Sequence, residues 1–180
     1  MANTCITTLY LKGEEALIES LYDSLDALAG YHSNYIESKI LFDYIGTPDN
    51  EIDDYRSAVV YYERKERFID IESAWSEPKS LIREISRFFG VEFAVYVEEP
   101  GAGYYVTNDD TFEHRGRFIM SINCEEEYYR NEEEVVKIIN DYIDEDNLDL
   151  DKITSVSEVI NNNKFREKDI IVNEYAIAKI

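Results

Sequence analysis

Histidine and cysteine are scarce in this sequence, with only two of each among 180 residues. Cys5 and Cys124 lack the CxxC or His-linked spacing of a zinc site or a redox motif. Neither His32 nor His114 stands in a motif with a serine or cysteine nucleophile, although histidine is the usual catalytic base near neutral pH. The sequence therefore predicts reduced thiols, no cofactor, no metal site and no catalytic residue.

Long apolar runs are also absent, because no stretch of about 18 consecutive apolar residues occurs in the chain. The first residues lack the basic stretch and apolar run of a secretion signal. We therefore expect a cytoplasmic protein that does not enter membranes. Apolar residues nevertheless make up 44% of the chain, which is enough to build a folded core.

Basic residues are few, 18 against 39 acidic ones, so that the formal net charge is −21. A charge of this size repels nucleic acids and anionic membranes, and we therefore expect no direct binding to DNA or RNA. The excess is concentrated between Glu98 and Asp151, where 17 acidic residues stand against 4 basic ones. The partners that this charge favours are cations or proteins with basic surfaces.

The densest part of that segment holds two glutamate triplets that flank a pair of tyrosines. Carboxylates on a rigid frame can occupy sites that normally hold phosphates, and tyrosine is enriched at protein interfaces. These residues and a preceding acidic loop predict a surface for a basic, nucleic-acid-binding protein. The predicted partner-binding residues are Glu125, Glu126, Glu127, Tyr128, Tyr129, Glu132, Glu133, Glu134, Asp109, Asp110 and Glu113. The alternative is that these acidic runs are only solvated surface that keeps the protein soluble.

Apolar periodicity and glycine stops predict the order of the secondary structure elements. Strands are predicted at 3–12, 57–63, 66–72, 91–99, 104–109, 115–124 and 170–177. Helices are predicted at 17–28 before Gly30, from a start at Ser76, Glu77 and Pro78 to Phe89 before Gly90, from 131 to 143, and at 153–161. Asn131 and Glu134 resemble a capping box variant. The period of residues 35–46 is ambiguous, and their structure is left open.

Strands interrupted by helices, with antiparallel hairpins in the middle, predict an α+β fold with an antiparallel or mixed sheet and helices on one face. One domain of typical size is expected over residues 1–150. Residues 151–180 are expected to add a C-terminal helix and strand, either as part of that domain or appended to it.

Three short motifs carry a resemblance to a known family. Their residues are Cys5 in the opening MANTC, Trp75 and Pro78 in FIDIESAWSEP, and Glu99, Pro100 and Gly101 in EFAVYVEEPGAGYY. Together they resemble the YubB-like ferredoxin-like domain family of plasmid and phage proteins over residues 1–124, although that family often has a tryptophan where this chain has Thr4. The resemblance implies a ferredoxin-like fold and a mobile-element origin, and it implies no reaction. In physical terms, Trp75 is expected as a core anchor and residues 100–103 as a turn.

The charge, the tyrosines and the resemblance together predict a function without catalysis. The expected protein is a nucleic-acid mimic that inhibits a basic DNA- or RNA-binding protein, of the antirestriction or anti-CRISPR type. Two alternatives stay open. One is a small carboxylate-based or metal-assisted hydrolase around Glu98, Glu99 and Asp109, and the other is an accessory module that self-associates.

Overall fold

The computed structural model describes residues 4–30, 35–52 and 55–180. Its contacts divide the chain into two compact units. The first comprises the residues up to Asp109 together with Ile177–Ile180, and the second comprises Asp110–Ala176. The boundary predicted at residue 150 falls inside the second unit. The helices before and after it contribute to the same hydrophobic core.

Among the described residues, a seven-stranded sheet, three α-helices and a short 3-10 helix (Asp49–Glu51) form the first unit, except that Ala176 of the last strand falls in the second unit. Its strands are β1 (Thr4–Lys12), β2 (Ile36–Glu37), β3 (Ser57–Glu63), β4 (Phe68–Ala74), β5 (Glu92–Glu99), β6 (Tyr104–Thr107) and, near the C-terminus, β10 (Ala176–Ile177). Its helices are α1 (Glu15–Ala29), α2 (Ser38–Ile45) and α3 (Lys79–Phe89). The strand order in the sheet is β10-β6-β5-β1-β4-β3-β2.

The centre of this sheet has the ferredoxin-like arrangement. Along the chain, β1, α1, β3, β4, α3 and β5 follow the βαββαβ order. In space the four strands lie in the order β5-β1-β4-β3, and each neighbouring pair is antiparallel. The expected α+β fold with an antiparallel sheet is therefore confirmed, with β2 and β6 as additions at its two sides.

The helices of the first unit cover one face of its sheet. Alternate residues of β1 point to that face, among them Leu9 and Leu11, and the helical period places Ile18 and Leu21 of α1 against it. Burying each such side chain contributes roughly 1.5–3 kcal/mol. A slip of one residue would turn the apolar set of β1 to the other face, so the observed register is strongly favoured.

Glycine ends the helices of the first unit where the sequence predicts it. The predicted helices before Gly30 and Gly90 are α1 and α3. Gly90 has a φ of 69°, and its N–H closes the helix on the Ser86 carbonyl at 2.9 Å. The ambiguous segment 35–46 forms β2 and α2, and it also ends at a left-handed glycine, Gly46.

The second unit packs three helices on a three-stranded antiparallel sheet. Its elements are β7 (Phe118–Ile122), β8 (Glu125–Tyr129), α4 (Glu132–Glu145), α5 (Val156–Ile160), α6 (Asn163–Arg166) and β9 (Ile170–Glu174). The strand order is β8-β7-β9, so β8 is an edge strand. Its core joins Phe118 and Met120 of β7 to apolar residues of all three helices.

Three local predictions in this part of the chain are wrong. The single strand expected at 170–177 is instead two strands, β9 and β10, which belong to different sheets. The strand expected at 115–124 spans only Phe118–Ile122, because residues 115–117 belong to the preceding loop and Asn123 and Cys124 form a turn. The Asn131 side chain does not cap α4. A capping box forms instead at α5, between Ser155 and Glu158. None of the helices among the described residues has both the length and the apolar composition needed to cross a membrane.

Candidate functional site

The first glutamate triplet and the two tyrosines form the edge strand β8. They pair with β7 in a hairpin whose register sets Ile122 opposite Glu125 and Phe118 opposite Tyr129. The connecting residues, Asn123 and Cys124, have φ values of 51° and 67°, as a two-residue type I′ turn requires. Charged side chains on an edge strand also prevent its pairing with another sheet.

Alternation along β8 divides its side chains between the two faces of the sheet. Glu125, Glu127 and Tyr129 lie on the face that the helices cover, because their neighbours on β7 include core residues. Glu126 and Tyr128 lie on the opposite face. The first triplet therefore does not form a single flat row of charge.

Tyr129 brings carboxylates from β8 and α4 together. Its hydroxyl donates a hydrogen bond to Glu127. Burial, this hydrogen bond, and the negative charges of Glu127 and Glu134 raise the pKa of Tyr129 to about 12. One glutamate of each triplet thus lies close to the same half-buried ring.

The second triplet occupies the first turn of α4. Negative side chains are favourable there, because the N-terminal end of a helix carries a partial positive charge. Glu132 has a further structural role, since its Oε1 accepts a hydrogen bond from the Val156 N–H at the start of α5, at 2.8 Å. Part of this triplet therefore stabilises the fold.

Three glutamates remain fully available for a partner. Glu125, Glu126 and Glu133 are exposed, and none of them forms a salt bridge with any residue that the structure describes. Tyr128 is exposed as well, although the Arg115 guanidinium lies over its ring, 5.1 Å from the ring centre. We call β8 and the first turn of α4 the acidic surface.

The predicted acidic loop is only partly at the surface. Asp110 and Glu113 are exposed, and Arg130, directly after β8, donates to the Glu113 carbonyl at 2.5 Å. Asp109 is only 4% exposed and accepts a hydrogen bond from the Tyr96 hydroxyl at 2.7 Å. Its prediction as a partner-binding residue is therefore wrong, because the carboxylate is used inside the first unit.

Gly116 positions this loop, although the sequence patterns do not identify it as a functional residue. A Cβ atom at Gly116 would collide with the backbone N, C and O atoms of Tyr129. The loop therefore passes directly against the end of β8, and only glycine allows that approach. A glycine inside an expected strand is the signal that could have identified it.

The residues of the alternative hydrolase do not form one site. Glu98 and Glu99 are consecutive on β5 and point to opposite faces of the sheet. Among the described residues, no group of three His, Cys, Asp or Glu side chains could hold a metal ion. His114 is exposed, and His32 lies outside the described residues.

The motifs of the family resemblance lie at one end of the first sheet. Cys5 is buried opposite Ser73, and burial raises the pKa of its thiol. Pro78 is the N-cap residue directly before α3, and Glu99 is the last residue of β5 before the turn at 100–103. Trp75 is 56% exposed with a φ of 76°, so its prediction as a core anchor is wrong: the backbone turns its side chain outward between β4 and α3.

Comparison with known protein families gives a match to part of the chain. A family model described as the ferredoxin-like domain in Api92-like protein matches residues 48–148, which is more than half of the chain. This match confirms the ferredoxin-like part of the resemblance, whereas the YubB likeness and the plasmid or phage origin stay predictions. No curated protein and no solved structure matches the chain.

Proposed function

We propose that this chain, which belongs to the family described as the ferredoxin-like domain in Api92-like protein, is a non-enzymatic acidic interaction protein. In this proposal it binds the basic surface of a DNA- or RNA-binding protein and occupies that surface in place of nucleic acid. A ferredoxin-like fold hosts many functions, so the proposal rests on the acidic surface and not on the fold.

The observation that carries the proposal is the charge density of β8. A strand rises about 3.3 Å per residue, so Glu125, Glu126 and Glu127 present one carboxylate per 3.3 Å of chain. One strand of DNA carries one phosphate per 3.4 Å of helix axis. Counted over both faces of the sheet, β8 therefore has about the linear charge density of one nucleic acid strand, with Glu126 on one face and Glu125 and Glu127 on the other.

Long-range electrostatics supports the same function. The net charge of −21 steers the chain toward basic surfaces and away from nucleic acids. Tyr128 adds contact area at low entropy cost beside the carboxylates. A basic groove of a restriction or CRISPR nuclease is the kind of surface that fits, and a mobile-element protein acting in the cytoplasm would meet such an enzyme.

The test is affinity capture from a nuclease-treated bacterial lysate, with elution by increasing salt. The variant Glu125→Gln, Glu126→Gln, Glu133→Gln removes three carboxylates that make no salt bridge inside the described part of the chain. We expect it to lose the captured nucleic-acid-binding protein at lower salt, because exposed interfacial charges govern association and salt dependence.

The matched control removes three exposed glutamates that lie outside the acidic surface. Glu66→Gln, Glu92→Gln, Glu167→Gln causes the same change in net charge. We expect this control to elute with the unmodified protein. Equal elution of the two triple variants would contradict the proposal, since net charge alone would then explain the binding.

A further inference from the structure

A row of polar side chains crosses one end of the sheet in the first unit, on the face that the helices cover. The strand registers pair Ser57 with Ser73, Ser73 with Cys5, and Glu99 with Tyr104. The register of β1 with β5, continued by one residue, sets Glu99 beside Cys5. Further along the same face the strands carry the aliphatic core, so this row marks the end of the core.

A cavity of about 410 Å³ lies between this row and the start of α3. Its walls include Arg56, Ser57, Ser73, Lys79 and Tyr104, all in the first unit. A neighbouring cavity of about 390 Å³ shares Arg56, Ser57 and Ser73. These volumes lie within the roughly 300–1,000 Å³ of typical small-molecule sites.

Ser57 brings an unsatisfied hydroxyl to the cavity wall. The residue is 8% exposed, and its Oγ makes no hydrogen bond with any residue that the structure describes. Ser73, its neighbour in the row, is satisfied, because its Oγ donates to the Ser76 carbonyl at 2.6 Å. A buried hydroxyl without a partner is destabilising, and a ligand oxygen would supply the partner.

Helix α3 begins at the same cavity without a side-chain cap. Its N-cap residue is Pro78, which makes no capping hydrogen bond, and Lys79 and Ser80 of its first turn line the cavity. The first N–H groups of a helix have no acceptor within the helix, and they carry the positive end of its dipole. The start of this eleven-residue helix is therefore suited to an anion.

Charged residues of both signs lie on the walls and in the adjacent row. Arg56 and Lys79 line the cavity against one carboxylate, Glu77, which is buried and 3.0 Å from the Lys79 Nζ. The hydrogen bond to Glu77 and its negative charge raise the pKa of Lys79, which therefore stays protonated. Glu99 of the row adds a second buried carboxylate, so cations and carboxylates balance in number, and the preference for an anion comes from the start of α3 and the Ser57 hydroxyl.

We propose that this cavity binds a small molecule through a phosphate or carboxylate group. The oxyanion lies at the first turn of α3, where Arg56, Lys79 and the Ser57 hydroxyl contact its oxygens. The ring of Tyr104 forms a wall for the remainder of the ligand. This inference goes beyond the proposed function, because the cavity shares no residue with the acidic surface.

The probes are inorganic phosphate and acetate, each compared with sodium chloride at equal ionic strength. We expect at least one of them to raise the Tm of the protein and to shift the backbone amide signals of Ser80 and Leu81 in NMR spectra. The anion that binds more tightly identifies whether the natural ligand carries a phosphate or a carboxylate.

Two variants and a control separate binding from folding. Ser57→Ala is expected to melt no lower than the unmodified protein without anion, yet to bind the anion about tenfold more weakly. Arg56→Gln is expected to weaken binding as well, whereas Lys65→Gln, which removes an exposed cation outside the cavity, leaves it unchanged. Absence of any effect of both anions, or equal binding by Ser57→Ala, would overturn the proposal.

Discussion

Replacing Cys124 with glycine is expected to stabilise the protein. Cys124 and Asn123 form the turn before β8, and the φ of Cys124 is 67°. The left-handed region costs an L-residue about 1–2 kcal/mol. Glycine avoids that cost but loses about 0.5–1 kcal/mol more backbone entropy on folding. The expected net gain in the free energy of unfolding is therefore about 0.5–1 kcal/mol.

The assay is thermal unfolding under reducing conditions, since Cys124 is an exposed free thiol. For a chain of this length each kcal/mol moves the Tm by about 2–4 °C, so Cys124→Gly is expected to melt about 1–4 °C higher. Cys124→Ser is the matched control, because it removes the thiol but keeps the Cβ atom. If the glycine variant melts no higher than the serine variant, the turn does not have the type I′ geometry described above.

Three further changes test the elements around the acidic surface. Gly116→Ala is expected to lower the free energy of unfolding by about 1–3 kcal/mol in urea denaturation, because the alanine Cβ would collide with the Tyr129 backbone. An unchanged free energy of unfolding would show that residue 116 does not lie against the Tyr129 backbone. The pKa of Tyr129 is raised to about 12 in the folded protein. The protonated Tyr129 hydroxyl therefore contributes its full stabilisation below a pH of about 10, and this stabilisation is lost as the pH rises through 12. A difference titration at alkaline pH against Tyr129→Phe should therefore show one tyrosine ionising near 12, and ionisation near 10 would refute the contact with Glu127. Glu132→Ala should destabilise the protein more than Glu132→Gln in thermal melts, because only alanine leaves the Val156 N–H without its acceptor.

Much of the first unit could be predicted from the sequence. The apolar spacing of α1 and α3, with glycine after each, predicts both helices. The hairpins β3–β4 and β5–β6 follow from alternating apolar residues separated by charged or glycine-containing turns. The segment at 35–46 could not be predicted, because it changes from strand to helix within ten residues and neither period is complete.

The strand β8 could not be predicted from its own residues. Three consecutive glutamates have low strand propensity, so their composition indicates solvated coil. They form a strand because the Asn123–Cys124 turn brings them beside β7, and because Tyr129 packs on the core of the second unit. Tertiary context therefore outweighs local preference, and the candidate surface could be predicted in composition but not in shape.

Individual side chains were harder to predict than elements. Nothing in the sequence distinguishes Asp109, which is buried with Tyr96, from the exposed Asp110 beside it. Ser57 and Ser73 are ordinary strand residues in the sequence, and only the register of their strands aligns them in one row with Cys5. Such juxtapositions arise from long-range pairing, which a local pattern does not encode.

The most direct test of the central claim is displacement of DNA from a captured partner. Fluorescence anisotropy of a labelled duplex bound to that partner is followed while the protein is added. We expect the unmodified chain and the Glu66, Glu92, Glu167 control to release the duplex, whereas the Glu125, Glu126, Glu133 variant releases it only at higher concentration. Retention of the duplex in a ternary complex with the unmodified chain would contradict the proposed nucleic-acid mimicry.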